Sequence, residues 1–285
     1  MMTMRDDFCV FILTNGRPDK VYTAATLKRQ GYTGKCYIVI DDEDKTAADY
    51  RVRFGASVLE FSKAKIAKTF DEGDNFNDRR AIIYARNACF ELAEQVGCKY
   101  FMQLDDDYTR FNYKFNAKSQ YGEWPIKSLD KTISKLVEYF ETIPALSIAI
   151  AQGGDFIGGK ESPHARSIRT KRKAMNTFIC STEKPFSFFG RVNEDVNTYT
   201  NLQRRGGMFL TIMQLEIKQK QTQSNSGGMT EMYLDSGTYV KSFYSVMYSP
   251  SCVKIKEMRS KNARLHHSVT WRHTTPMILD ERHKR

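Results

Sequence analysis

Three consecutive carboxylates, Asp105, Asp106 and Asp107, follow directly on the apolar run "KYFMQL" at residues 99–104. Adjacent carboxylates repel one another, so keeping them ionised side by side calls for a cation. Hard divalent ions such as Mg2+ and Mn2+ take oxygen ligands and keep positions open for phosphate oxygens. Along an extended segment, alternation aims Asp105 and Asp107 to one side and Asp106 to the other. A D-x-D pair of that kind suits a metal that grips a diphosphate and neutralises the charge building on it as it departs. The plainer reading is an acidic loop that merely caps a strand.

A second carboxylate pair stands in "VNEDVNTY". Asn193 is suited to an N-cap, which places Glu194 and Asp195 in the first turn of a helix. The backbone dipole favours the ionised form there, and an ionised carboxylate can take a proton from an attacking hydroxyl. Complementing the dipole and nothing more is the alternative. Late in the chain "LHHSVTWRH" carries His266, His267 and His273. His267 or His273 would supply a nitrogen ligand to a metal, while surface histidines are the plain reading for at least two of the three.

The elements that must position these groups follow from pattern. "FCVFILT" (8–14), "CYIVI" (36–40), "SVLEF" (57–61) and "KYFMQL" read as buried strands, the first stopped by "NGRP" and the second by Asp41 and Asp42. Helical spacing near residues 19–29 separates the first two. From Arg79 to Val96 the residues Ile82, Ile83, Ala85, Cys89, Leu92, Ala93 and Val96 recur every three or four positions, and Gly97 ends that helix. Further along, residues 128–143 read as a helix and "LSIAIA" (146–151) as a strand. A helix then runs from Asn193 to a stop at Gly206, and "MFLTIMQL" (208–215) is a last strand. The polar tract from Lys218 to Gly228 has little to bury and reads as a mobile loop. Strands alternating with helices predict an α/β fold with a mostly parallel sheet covered on both faces. Ligands bind such sheets at the carboxyl ends of the strands, where Asn15, Asp41, Asp42 and the acid triplet fall.

Composition narrows the class. With 41% hydrophobic residues the chain can bury a large core, and no segment approaches the apolar length of a membrane span. Its start lacks the apolar centre of a secretory signal, which points to a cytoplasmic protein. Six widely spaced cysteines without a CxxC pair then read as reduced thiols, mostly buried. Lys and Arg outnumber Asp and Glu 44 to 33, a net charge of +11, with basic density at Lys160–Lys173 and near the end in "DERHKR". Such patches attract a polyanion, nucleic acid first, or serve only as a solvated basic loop.

The order of these motifs resembles a known family. A first strand ending "TNGRP", a second ending "DD", a helix carrying "ARN", a strand ending "LDDD", then "ED" and a late His look like a GT-A fold glycosyltransferase. The resemblance implies one domain over residues 1–285, with a nucleotide-sugar-binding half at 1–110 and a less regular acceptor-binding half at 111–285. "FGRVNEDVNTY", "GGMFLTI" and "QKQTQSNSGGMTEMY" are similar to the TET-associated glycosyltransferases of tailed phages. That narrower resemblance implies transfer from a UDP-sugar, with Mn2+ or Mg2+, to hydroxymethylated pyrimidines of phage DNA, 5-hydroxymethylcytosine first, hiding the genome from host nucleases. It implies Asp105 and Asp107 as metal ligands, joined by His267 or His273. Thr14, Asn15, Arg17, Asp41, Asp42, Asp105 and Asp106 would bind the nucleotide, Arg86 the donor phosphates, and Asp195 with Glu194 would serve the acceptor hydroxyl. An enzyme that extracts a base from DNA also wants an aromatic to stack on it, for which Tyr108, Phe111, Tyr113 and Trp124 are candidates. Three alternatives stay open: a protein or glycan acceptor, a nucleotidyltransferase that would release pyrophosphate, and a DNA-binding protein without catalysis.

Overall fold

The computed structural model describes residues 4–74, 78–156, 159–161, 168–220, 240–258 and 264–274. Its first strand shows how the sequence builds the core. In β1 (Phe8–Leu13) every residue is buried. Phe8, Val10 and Ile12 enter one apolar cluster while Cys9, Phe11 and Leu13 enter another on the opposite face. A strand that is apolar at every position has to be covered on both sides. Helices α1 (Tyr22–Arg29), α2 (Ala47–Phe54) and α5 (Leu129–Glu141) supply one cover through Leu27, Tyr50, Ile133, Val137 and Phe140. Helices α3 (Lys63–Ala67), α4 (Ile83–Gln95) and α6 (Glu194–Gln203) supply the other through Ile66, Ile83, Cys89, Leu92, Val196 and Tyr199.

The other strands of the main sheet are β2 (Lys35–Asp41), β3 (Val58–Phe61), β4 (Tyr100–Asp105), β5 (Tyr108–Phe115), β6 (Tyr121–Pro125), β7 (Ser147–Gln152), β8 (Ile168–Arg169), β9 (Phe178–Ser181) and β10 (Phe209–Gln219). This ten-stranded sheet runs β3-β2-β1-β4-β9-β7-β10-β5-β6, with β8 on β10. The first four strands are parallel, as is the pair β7 and β10. Antiparallel β9 stands between these two groups, and β5 also runs against its neighbours. The expected α/β sheet, mostly parallel and flanked by helices, is therefore present, with antiparallel strands concentrated in its second half. One further helix covers residues 240–248, and β11 (Val253–Met258) pairs with β12 (Arg264–Val269) in a separate hairpin.

Boundaries follow local chemistry. Gly97 ends α4 in the left-handed region, φ +67°, and lets the Cys98 N–H reach back to the Ala93 carbonyl at 2.8 Å. Asn193 behaves differently from a standard N-cap. It adopts φ 54°, makes no capping bond, and its amide instead donates to the Lys241 carbonyl at 2.6 Å and Ser245 Oγ at 3.1 Å. All six cysteines are free, and all but Cys36 are buried. Among the described residues no helix is long and apolar enough to cross a membrane. The tract expected as a loop from Lys218 lies outside the described residues after 220, as do part of the basic stretch 160–173 and all of "DERHKR".

Candidate active site

The chain reverses at Asp106 and Asp107 between β4 and β5, and α1 holds that turn from the side. Thr23, fully buried in α1, donates its hydroxyl to the Asp105 carbonyl at 2.6 Å and accepts the Tyr108 N–H at 2.9 Å. Its own N–H donates to the Asp106 carbonyl at 3.0 Å. One threonine thus satisfies backbone groups that a buried turn could not leave unpaired.

The three carboxylates then part company. Asp106, 1% exposed, takes a fork from Arg17, Nε at 2.6 Å and Nη2 at 2.8 Å, plus the Thr14 hydroxyl at 2.7 Å. Asp105 turns toward α4, where Arg86 Nη2 reaches its Oδ1 at 3.1 Å. Asp107 is half-buried, and its Oδ1 is shut away from solvent with no hydrogen-bond partner. Burial lifts the Asp105 carboxyl, Arg86 pulls it down, and Asp107 and Asp106 push it up again, leaving it at about 7. Burial and then the charge of Asp106 push Asp107 up to about 6 against the pull of Arg17. A buried carboxylate oxygen without a partner is costly, about 1–3 kcal/mol or more. The pair Asp105 and Asp107 therefore fits a hard divalent cation, which takes such oxygens and leaves further positions to water and phosphate. Among the described residues no three His, Cys, Asp or Glu side chains converge on one point, so of these residues Asp105 and Asp107 are the ones that would hold the ion.

Beside the turn, a cleft of about 400 Å³ opens at the carboxyl ends of β1, β2 and β3. Thr14, Asn15, Gly16, Arg17, Asp41, Phe61 and Lys63 line one side, and Arg79 to Ile82, leading into α4, the other. Asn15 Nδ2 donates to Asp41 Oδ2 at 2.9 Å, and Lys63 Nζ pairs with Asp41 Oδ1 at 2.9 Å. Thr14 and Arg17 both line this cleft and hold Asp106, so cleft and acid turn share a wall.

On the far side of the acid turn lies the start of α6. Glu194 Oε1 accepts from Arg86 Nε at 2.9 Å. Asp195, 7% exposed, accepts the Val196 N–H at 2.8 Å. Burial and then the neighbouring charge of Glu194 push Asp195 up to about 6, outweighing that hydrogen bond. The carboxyl is thus raised toward neutrality, and the reason is dehydration, in contrast to the dipole-held ionisation expected from sequence. His267 sits close by on β12, its Nδ1 3.5 Å from Asn193 Nδ2. Burial, followed by His266, Lys241 and Lys173, drives it down to about 3, so it is neutral.

Several expected roles change on this geometry. Arg86 does not line the cleft: it is 1% exposed and spans two carboxylates, so it is no open phosphate ligand. Asp106 has both oxygens committed to Arg17 and Thr14, which leaves it the keeper of the turn rather than a nucleotide contact. Asp42 is exposed and receives the Lys63 N–H at 2.9 Å, outside the cleft lining. His273 is exposed in a short 3-10 turn, and neither it nor His267 joins a cluster of three ligating groups among the described residues. Tyr108 and Phe111 are core residues, so stacking on a base is not their task, whereas Tyr113 is 38% exposed with its hydroxyl 2.6 Å from that of Thr132. Trp124 lies half-buried over Gly122, which has no room for a side chain beneath it. Sequence reading missed Lys63, Arg79 and Arg80 as the cleft's cations. Their position just after β3 and just before α4 is the signal that marks them.

A cleft of ligand size lined by Arg17, Lys63, Arg79 and Arg80, the turn that carries Asp105 and Asp107, and the buried Asp195 gather along the carboxyl edge of one α/β sheet, an arrangement suited to a group-transferring enzyme. The profile of the TET-Associated Glycosyltransferase family matches residues 8–228, and the chain belongs to that family. It is a glycosyltransferase. No match was found among the curated proteins. Among solved structures it is similar to glucosyl-3-phosphoglycerate synthase from Mycobacterium tuberculosis crystallised with Mn2+, UDP and phosphoglyceric acid. That likeness has 9% identity and a TM-score of 0.46, covering 93% of this chain and 87% of that one. The same synthase with glucosyl-3-phosphoglycerate gives 11% identity and a TM-score of 0.44, over 93% and 88% of the two chains. A mycobacterial protein matches at 8% identity and a TM-score of 0.46, over 93% and 84%.

Proposed function

We propose that this enzyme moves a sugar from a nucleoside diphosphate sugar, a UDP-sugar in the first instance, to the hydroxymethyl group of a modified pyrimidine in DNA, 5-hydroxymethylcytosine first. The observation that carries the donor half is the buried Asp107 Oδ1, unpartnered among the described residues, in a turn whose middle acid is neutralised by Arg17 and hydrogen-bonded by Thr14, both of the adjoining cleft. The nucleoside occupies the cleft over β1 to β3, near Asn15, Asp41 and Lys63. Its diphosphate runs toward Asp105 and Asp107 past the positive charges of Arg79 and Arg80. Asp105 and Asp107 would hold a divalent ion, Mn2+ or Mg2+, which when bound would supply neutralisation of the charge on the departing diphosphate.

Asp195 takes the proton of the acceptor hydroxyl, and a carboxyl near 6 suits that task at neutral pH. This role belongs to an inverting transfer, in which the hydroxyl oxygen forms the new bond as the diphosphate leaves. The charge of +11 supports a polyanionic acceptor. Part of it is spent within the fold: Arg172 and Lys173 pair with Asp155 at 2.7 and 3.7 Å. Exposed Lys171 and the hairpin's Lys254 and Lys256 remain for phosphates.

The test combines protein, Mn2+, duplex DNA carrying 5-hydroxymethylcytosine and a panel of nucleotide sugars, followed by digestion and mass analysis of the nucleosides. A hexose or pentose mass gain on the modified nucleoside is expected. Sugar found only on protein or glycan acceptors would overturn the DNA half and leave the donor half standing.

A further inference from the structure

Arg86 is 1% exposed, as deep as any charge of the site, and its contacts join the end of β4 to the start of α6. Its Nη2 holds Asp105 Oδ1 at the end of β4 at 3.1 Å, and its Nε holds Glu194 Oε1 at the start of α6 at 2.9 Å. The guanidinium lies 5.2 Å from the Phe178 ring centre and 6.0 Å from that of Phe188, which fixes its plane. Its own backbone carbonyl is tied down by Gln103 Nε2 at 2.9 Å, from the strand that carries Asp105. The third nitrogen, Nη1, is buried and unpartnered. A planar fork of this kind sets both distance and angle between its two carboxylates, which a lysine cannot do.

We infer that Arg86 is a positioning residue that clamps the donor-side acid Asp105 to the first turn of α6, and through Glu194 sets Asp195 against the reacting sugar. The inference rests on the proposed division into a donor side and an acceptor side. Removing the clamp frees Asp105 Oδ1, so the acids keep their affinity for Mn2+, while the acceptor carboxylate loses its register with the donor. A misplacement of about 1 Å costs on the order of a hundredfold in rate.

The experiment compares wild type with Arg86→Lys, Arg86→Met and Arg86→Ala. Expected for Arg86→Met are Mn2+ affinity (water-proton relaxation) and donor KM within about threefold of wild type, and a transfer kcat lower by roughly a hundredfold. The share of donor hydrolysed to water should rise. Arg86→Lys should not restore transfer, whereas tens of millimolar guanidinium should restore part of it to Arg86→Ala. Loss of Mn2+ binding in proportion to transfer, or full activity in Arg86→Lys, would overturn the clamp. Should wild type transfer no sugar at all, the functional reading fails alone, because the clamp has a second readout. Asp105→Asn and Glu194→Gln should be non-additive in urea unfolding with Arg86 present and additive with Arg86→Met; additivity in both backgrounds counts against it.

Discussion

Replacing Asp106 and Asp107 one at a time by asparagine separates two jobs that neighbouring, chemically identical residues perform. Asp106 is 1% exposed and receives three charge-assisted or hydroxyl bonds, from Arg17 at 2.6 and 2.8 Å and from Thr14 at 2.7 Å. Removing one member of a buried pair costs about 3–5 kcal/mol because its partner stays buried and charged. Arg17 keeps 22% side-chain exposure, so the low end, about 3 kcal/mol, applies. At about 2–4 °C per kcal/mol for a large domain, Asp106→Asn should lower Tm by roughly 6–12 °C. Asp107 makes no ion pair among the described residues, and burial and the charge of Asp106 already oppose its ionisation. Asp107→Asn should therefore melt within about 0.5 kcal/mol of wild type or above it. Its defect should appear in Mn2+ titration, weaker by tenfold or more, and in sugar transfer, lower by about a hundredfold. The assay is urea unfolding of both variants beside Mn2+ binding and transfer. The reasoning is refuted if Asp106→Asn is as stable as wild type, or if Asp107→Asn loses stability while its Mn2+ affinity is unchanged.

Other consequences can be measured with the same assays. Asp195 is pushed up to about 6, so transfer should fall tenfold per pH unit below that point, and the profile should flatten in Asp195→Asn, which retains only residual rate. The sign for stability is opposite: the native state holds this proton more tightly than the unfolded chain, so the group's contribution falls as pH rises from about 4 through 6, as pH-dependent unfolding will show. Thr23→Val leaves the Tyr108 N–H and Asp105 carbonyl without their 2.9 and 2.6 Å partner and should cost about 1–3 kcal/mol in urea. Lys63→Ala or Arg80→Ala should raise the Kd for a nucleoside diphosphate by about tenfold with DNA affinity unchanged, read by calorimetry. His267→Gln should leave Mn2+ affinity as it is.

The strands and helices that order the donor side are legible because they bury apolar residues on both faces, and such runs admit few alternatives: β1, β2, β4, α4 and α5 fall within a few residues of their expected ranges. β5 escapes notice because "YTRFNYKF" has no regular apolar period, with Asn112 and Lys114 buried beside Tyr108 and Phe111, and it follows directly on the acids. The identity of the carboxylate that binds and the one that braces is invisible in "DDD". It is decided by Arg17, 89 residues away in sequence, which forks onto Asp106. Arg86 misleads for the same reason: a cation in an "ARN" helix advertises phosphate binding, and only the approach of Glu194, 108 residues downstream, shows it already engaged.

The position of β5 bears on how the protein is made. Its neighbour β10 pairs with it across roughly a hundred residues, Tyr113 opposite Leu215, so on the ribosome β5 emerges long before that edge can be closed. Thr23 and Thr26 of α1 and Gln30, which caps its end, are already synthesised by then, and they bind the backbone of Asp105, Tyr108 and Phe111. These bonds lie on the edge of β5 away from β10, where the Phe111 carbonyl also takes the Ile126 N–H at 2.9 Å, so the acid turn is tied to residues made just before it and does not depend on the late strand for its backbone partners.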